Sequence, residues 1–480
     1  MKIEIKREMQ AFPNTRSFHS IFLFFIICRD RWKIVTSVLS CRRLILMNSS
    51  SHSRLRIAIC HPDLGIGGAE RLIVDAALEL SSRGHYVHVF TAHHDRNRCF
   101  EDTINGSFPV TVYGSFLPRH VFRHLHALCA YVRCLWVAMC IVLFSDTFDV
   151  VLVDQVSAVI PLLKLKRSSK ILFYCHFPDM LLAQHTTSLR RLYRRPIDWI
   201  EEATTSRADR ILVNSEFTAS IFQKTFQRLH AKGIQPTVLY PAVNTQEFAS
   251  LDKGCSELQL ALADIPQLSS ASSIVLSINR FERKKNISLA ISAFAVLLKQ
   301  LSSLDLVNGS AISNTFVKDS IKLVLAGGYD KRLAENREYL LELKALTEEK
   351  GLMEHVIFVP SCSTVQRNAL LAACICVVYT PQEEHFGIVP LEAMAAGKPV
   401  IACNSGGPME SIVASKTGFL CEPTPENFSS ALFLLLSNST NAERMGKDAR
   451  EHVEHNFSRQ VFGDRLQSVI LQLVQSTAGT

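Results

Sequence analysis

From residue 55 onward, short β-branched runs alternate with amphipathic stretches, and the whole alternation occurs twice. The first series of apolar runs lies at 55–60, 86–91, 110–113, 150–153, 171–174, 211–213 and 238–240, with helical spacing between them, as at 69–80 and 196–204. After a polar stretch at about 244–272 the pattern restarts, with runs at 274–278, 323–326, 356–359, 375–379, 400–403 and 419–421. Helical spacing follows most of these, at 287–300, 332–350, 365–372, 389–396 and 426–436. Strands that are apolar on both faces and separated by helices belong to parallel sheets covered on both sides. The pattern predicts an α/β chain of two doubly wound domains in tandem, 54–245 and 246–460, with a closing helix at 461–480. Residues 302–320, rich in Ser and Asn, read as a surface loop. Ligands of such sheets bind beyond the carboxyl ends of the strands, so chemistry is expected in the loops just after them.

The balance of residues narrows the function. Of 480 residues, 48% are apolar and 20% charged, which excludes a disordered chain. The net charge is +8, but residues 1–53 hold nine Lys/Arg against three Asp/Glu, so little excess remains for the rest. That excludes a uniformly basic nucleic-acid binder, and 1–53 reads as a basic extension outside the core. Fourteen cysteines include no C-x-x-C pair, and Cys60, Cys140, Cys374, Cys376 and Cys403 sit in apolar runs. These read as reduced, buried thiols in a cytosolic environment.

Two segments raise the question of a membrane. The apolar run 21–28 is far shorter than the roughly 20 residues a spanning helix needs. The stretch 125–144 is nearly long enough, but Arg133 interrupts it. Placing that arginine at the bilayer centre costs roughly 2.5–3.5 kcal/mol on insertion scales. A helix lying in the interface would let the side chain reach water. Membrane association through 125–144 is the expectation, against an ordinary buried helix. Two basic clusters, Lys164, Lys166, Arg167 and Lys170, then Arg190, Arg191, Arg194 and Arg195, could face anionic lipid, a diphosphate or solvent.

The loops after strands carry the chemistry. The first reads His61-Pro62-Asp63-Leu64-Gly65-Ile66-Gly67-Gly68-Ala69-Glu70. Its glycines allow backbone N–H groups close to an anion or sugar, but Glu70 occupies the third glycine position of the dinucleotide fingerprint, so a nicotinamide site is poorly supported. A tight strand–helix turn explains the glycines equally well. His176 follows the run at 171–174, where the first sheet opens into the cleft. Arg280 and Lys285 follow the first strand of the second half, placed to meet a diphosphate beside a helix N-terminus. A charged surface turn neutralised by Glu282 is the alternative. In 384–400, Gly387 permits close backbone approach to a ligand, Glu384 lies in the loop, and Glu392 lies inside an otherwise apolar helix. A carboxylate there needs partners, and a pair of ribose hydroxyls would serve. No D-x-D triplet occurs.

Arg280 with Lys285 five residues on, and Glu384 with Glu392 after seven intervening residues, resemble the retaining GT-B glycosyltransferases of family four over most of 54–460. The resemblance implies two Rossmann-like domains facing a central cleft. It implies donor-diphosphate contacts from Arg280 and Lys285, ribose contact from Glu392, donor-sugar contact from Glu384 and a reaction-centre role for His176. Gly67 and Gly68 would lie at the donor–acceptor junction, and Gly387 in the donor site. The phrases HPDLGIGGAERL, ILFYCHFPD, PIDWIEE, LAGGYD and CNSGGPMES resemble more closely the mannosyltransferases of the dolichol pathway that add the second and third mannoses. That branch implies GDP-mannose as donor and a dolichyl-diphosphate-linked Man1GlcNAc2 acceptor, extended by an α-1,3 and then an α-1,6 bond for protein N-glycosylation. It implies the endoplasmic reticulum membrane, with the catalytic domains on the cytosolic face. Membrane lipid and other glycosyltransferases of the pathway are the implied partners, and nucleic acid is not. With no D-x-D, no metal and no cofactor are expected. The competing readings are a GT-B enzyme using another nucleotide sugar and a catalytically silent membrane scaffold.

Overall fold

A computed structural model describes residues 54–120, 125–182, 188–249, 256–269, 271–308 and 320–476. The basic extension 1–53 lies outside them. Two parallel sheets carry the fold. The first has seven strands in the order β3-β2-β1-β4-β5-β6-β7: β1 Arg56–His61, β2 Tyr86–Thr91, β3 Val110–Val112, β4 Val150–Asp154, β5 Lys170–Cys175, β6 Arg210–Val213 and β7 Thr237–Val238. The second has six in the order β10-β9-β8-β11-β12-β13: β8 Ser273–Ile278, β9 Ile321–Gly327, β10 Val356–Pro360, β11 Cys376–Tyr379, β12 Val400–Cys403 and β13 Gly418–Cys421. All thirteen expected strands are present. Each sheet is doubly wound, with strand order reversing beside its first strand, which opens a crevice at the carboxyl edge.

The helices that matter for the cleft are α1 Gly68–Ser82, α2 His126–Phe144, α3 Ser188–Thr205, α4 Glu216–Thr225, α5 Ile287–Asn308, α6 Ala334–Glu349, α7 Thr364–Ala373, α8 Ile388–Ala395, α9 Pro425–Ser437, α10 Ser439–Asn456 and α11 Arg459–Gln475. Their starts follow local chemistry. Ser215 accepts from Thr218 N at α4, and Ser363 with Gln366 closes a reciprocal cap at α7. α11 returns to the first sheet, where Phe462, Leu466, Ile470 and Leu473 join the core of Leu72, Ile73 and Leu80 from α1.

Two expectations are corrected. The polar stretch 244–272 contains short helices, Thr245–Ala249 and Ser256–Ala263, whose Phe248, Leu258 and Ala261 are buried. Residues 302–308 continue α5 instead of starting a loop. Ser302 and Ser303 turn their hydroxyls back onto the carbonyls of Leu298 and Lys299, at 2.8 and 3.1 Å, which lets serines remain helical. The rest of that expected loop, 309–319, lies outside the described residues.

The 125–144 segment is α2, and it packs on the first sheet. Cys134, Val137, Ala138 and Ile141 enter the core with Phe90, Val151 and Phe173. Arg133 faces the protein and is buried. Crossing a bilayer would strip this face from its core. The opposite stripe, Leu128, Val132, Leu135 and Leu143, is exposed and wholly apolar.

Candidate active site

The expected donor residues converge at the carboxyl edge of the second sheet. Arg280 follows β8, and Lys285 closes a single 3-10 turn, Arg283–Lys285, just before α5. Asn286, with φ +47°, turns the chain from that 3-10 turn into α5. The Lys285 ammonium is buried and ion-paired with Glu384, and its carbonyl accepts the Thr380 hydroxyl at 2.7 Å. Burial alone would raise the Glu384 pKa, but the Lys285 charge and hydrogen bond outweigh it and hold the carboxyl below its ordinary range. Arg280 is 62% exposed and pairs with Glu282 at 3.1 Å, while Lys284 reaches the same carboxylate at 3.2 Å. Glu282 therefore screens Arg280 and Lys284, and leaves Lys285 to Glu384. Tyr379, at the end of β11, ties these groups together. Burial, then Glu384 and Glu392, push its phenol pKa up, while Arg280 opposes them. One buried phenol is thus within electrostatic reach of three of the four expected donor residues.

Backbone geometry shapes this loop. Gly387 adopts φ +86°, and a side chain there would meet the Tyr379 hydroxyl at 3.1 Å. Gly407 packs against the backbone of Phe386, where a Cβ would approach to 2.2 Å, and its N–H donates to the Glu384 carbonyl at 2.8 Å. The glycine turn after β12 therefore clamps the loop that carries Glu384.

Glu392 lies on α8, and its partner escaped the sequence reading. Arg367 of α7 pairs with Glu392 at 3.1 Å and with Glu247 at 2.7 Å. Burial raises the Glu392 pKa, Arg367 and Arg71 oppose this, and Glu247 adds to it. The only sequence signal was the rule that a carboxylate in an apolar helix needs partners, for which the sequence reading gives ribose hydroxyls instead of a cation. Arg71 belongs to α1, so the helix after the glycine loop faces Glu392 across the cleft. Gly67 caps that helix in an extended conformation, and a Cβ on Gly68 would meet nothing. A Cβ on Gly67 would come within 2.3 Å of the Glu70 carboxylate, the end of a flexible side chain, so the structure gives no steric reason for Gly68 and only a yielding one for Gly67.

On the opposing wall, His176 follows β5 and donates from Nε2 to Asp154 Oδ1 at 2.8 Å. The next ring, Phe177, stacks on His385 with centroids 3.7 Å apart. Burial first, with Lys285, Lys284 and His176 adding, lowers the His385 pKa to about 4 against the pull of Glu384, so this ring stays neutral near pH 7. The Ser215 hydroxyl donates to the His385 carbonyl at 2.5 Å. The Glu410 carboxylate accepts from the N–H groups of Glu216 and Phe217 at 2.7 and 2.8 Å, capping α4 from the other sheet. The loops bearing His176 and Glu384 are thereby held face to face. Asp154, Arg367, Phe177 and Glu410 were not singled out in the sequence. Asp154 alone had a local signal, a carboxylate ending an apolar central strand.

The basic clusters divide. Lys164 pairs with Asp209 at 2.6 Å, and Lys166 donates to the Ile141 carbonyl of α2 at 3.0 Å and to that of Ser145, just past its end, at 2.6 Å. This cluster precedes β5, at the sheet edge remote from the cleft, so it does not meet a bound diphosphate. Arg194 is buried between Asp179 and Asp198 at 3.2 and 3.0 Å, whereas Arg191 and Arg195 are exposed.

Comparison with known proteins decides the family. Residues 66–247 match the model described as Glycosyltransferase Family 4, and 263–452 that of Glycosyl transferases group 1. Alpha-1,3/1,6-mannosyltransferase ALG2 of Dictyostelium discoideum is 46% identical over 424 residues, covering 87% of this chain and 98% of that protein. The Homo sapiens ALG2 is 45% identical, covering 87% and 96%. The chain belongs to the ALG2 family of α-1,3/1,6-mannosyltransferases. It is a glycosyltransferase, as the resemblance implied. A solved sucrose-phosphate synthase from Thermosynechococcus elongatus superposes with a TM-score of 0.68 at 20% identity, covering 88% of this chain and all of that one, which shows the GT-B fold.

Proposed function

We propose that this ALG2-family enzyme transfers mannose from GDP-mannose, with retention, to Man1GlcNAc2-diphosphodolichol, making an α-1,3 and then an α-1,6 bond in lipid-linked oligosaccharide synthesis. The observation that carries the reading is the convergence of Arg280, Lys285, Glu384 and Glu392 beneath the loop that holds His176. As a sugar leaves a diphosphate, negative charge grows on the phosphate while the anomeric carbon becomes oxocarbenium-like. Preorganised cations aimed at that charge are the main catalytic device. Lys285, already buried, would exchange its Glu384 partner for the diphosphate, and Arg280 would leave Glu282 to fork two of its oxygens. Freed of the lysine, Glu384 would accept hydroxyls of the transferred mannose, and Glu392 those of the ribose. Retention is explained by attack on the face from which the phosphate departs, with the leaving phosphate taking the acceptor's proton. No carboxylate nucleophile is then required, and holding the two substrates together supplies the remaining acceleration.

The cations also support metal-independent transfer, and EDTA should leave turnover unchanged. Loss of activity restored by Mn²⁺ would contradict this. The lipid-linked acceptor explains the outer face of α2. Leu128, Val132 and Leu135 are exposed on α2, and on α3 the exposed Leu192 and Trp199 are flanked by Arg191 and Arg195. The two helices are joined where Leu128 N donates to the Tyr193 hydroxyl at 3.1 Å. Apolar and aromatic side chains beside cations suit a helix pair lying in the interface of a membrane. The enzyme would thus rest on the cytosolic face of the endoplasmic reticulum. The eleven described cysteines are thiols, which fits a reducing compartment. The test is incubation of purified protein with GDP-mannose and a phytanyl-diphosphate Man1GlcNAc2 acceptor, with linkage analysis. Both linkages, formed in that order, are expected. Transfer from UDP-glucose in preference, or no transfer, would overturn the proposal.

A further inference from the structure

We propose that Asp154 and His61 are positioning residues for the transfer step: with His176 they form a bracket across three adjacent strand ends that fixes the His176 ring and leaves its Nδ1 to accept a hydroxyl of the sugar being transferred. This rests on the role given to His176 above.

The topology makes the bracket. β1, β4 and β5 are neighbours, with Cys60 opposite Val153 and Asp154 opposite Tyr174. His61 ends β1, Asp154 ends β4, and His176 follows β5, so all three lie on the edge facing the cleft. Asp154 is 1% exposed, and both its oxygens are occupied. Oδ2 lies 2.8 Å from His61 Nδ1 and Oδ1 lies 2.8 Å from His176 Nε2.

The protons follow from the partners. An ionised carboxylate only accepts, so both histidines donate to Asp154. Burial would raise the Asp154 pKa, yet the two histidines bring it down to about 2, which keeps it ionised. His61 also directs Nε2 at the Asp63 carbonyl, 3.1 Å away, which again only accepts. A ring donating from both nitrogens is an imidazolium. Burial disfavours that charge, but Asp154, then Glu70 and the Asp63 carbonyl, overcome it and raise the His61 pKa. The buried pair of His61 and Asp154 is therefore neutral in sum. With Nε2 of His176 turned to Asp154, Nδ1 is the ring nitrogen left for a ligand. The Asp63 carbonyl belongs to the loop leading to Gly67 and Gly68, so the same imidazolium also ties that loop to the bracket.

The experiment is a double-mutant cycle on the full chain, with Asp154→Asn, His176→Ala and the pair. Initial rates are read against GDP-mannose with the phytanyl-diphosphate acceptor, and thermal unfolding is recorded for each. Replacing a histidine-orienting aspartate by asparagine leaves the wrong tautomer, and in another enzyme class costs up to about 10⁴-fold. Asp154→Asn is expected to lower kcat by at least about thirtyfold, with the donor KM changed less than about threefold. In the His176→Ala background it should cost less than about threefold more, because the ring it positions is gone. Full multiplication of the two losses would overturn the bracket, as would a change in KM alone. If His176→Ala leaves kcat intact, the His176 assignment in the proposed function fails instead. Should Asp154→Asn not fold, His61→Gln gives the same cycle: non-multiplying losses with His176→Ala support the bracket, and multiplying losses refute it.

Discussion

On the C-terminal side of the cleft, charged pairs sit on loops and helix starts and keep contact with solvent. The Lys285 and Glu384 side chains are 11% and 23% exposed, and those of Arg367 and Glu392 are 23% and 17%. On the N-terminal side, the His61 and Asp154 side chains, at the ends of central strands, are 2% and 0% exposed. The difference is one of exchangeability. A pair at the mouth of a cleft can trade a carboxylate for a phosphate. A pair sealed beneath the loops cannot reach ligand, and can only hold a neighbour in place. The proposed donor recognition and ring positioning would thus use the same kinds of charge at different depths.

Four experiments would sharpen or break that contrast. The largest effect is expected for Lys285→Ala, at least about a hundredfold in transfer, with about tenfold for the more exposed Arg280. Unfolding temperatures should stay near that of the parent, and near-normal turnover in either variant would remove the donor-site assignment. Arg367→Ala should come next. It strands Glu392, and is expected to raise the donor KM several-fold and cost about 1–3 kcal/mol in denaturant titration. An unchanged KM would separate Glu392 from the ribose.

The third compares two faces of α2. Leu128→Ser, Val132→Ser and Leu135→Ser together should weaken flotation with anionic vesicles several-fold and leave unfolding unchanged. Serine at the buried Val137, Ala138 and Ile141 should instead unfold the first domain. Undiminished vesicle binding by the outer-face variant would remove the membrane role of α2. The smallest effect is in pH dependence. A histidine whose pKa is raised on folding stabilises fully below its ordinary value of about 6.5 and loses that contribution as pH climbs through the raised value. The gap in Tm between the parent and His61→Gln should therefore be widest near pH 6 and narrow toward pH 9. A gap that widens with pH would contradict a charged His61.

Much of this was legible beforehand for a physical reason. Apolar strands announce themselves by composition, so every sheet strand was found, and the proposed donor residues lie in two contiguous stretches, so the grouping of Arg280, Lys285, Glu384 and Glu392 could be expected. What stayed hidden depends on contacts between distant segments. Arg367 gives no local sign that it will face Glu392. His61 and Asp154 are 93 residues apart, and only strand order makes them neighbours. The apolar stretch of α2 also misleads by itself. α5 is comparably apolar in its first turns but is covered, with Leu297 and Phe294 in one core with Phe428, Leu432 and Leu435 of α9. Whether an apolar helix has a free face is decided by what packs over it, and a one-dimensional pattern does not record that.

The central claim is that the buried lysine of the second domain changes partner when the nucleotide sugar binds. A structure of the enzyme with GDP-mannose tests it most directly. Lys285 Nζ is expected within about 3 Å of a diphosphate oxygen, with Glu384 turned to the mannose hydroxyls. A diphosphate bound elsewhere, with Lys285 still on Glu384, would contradict the account.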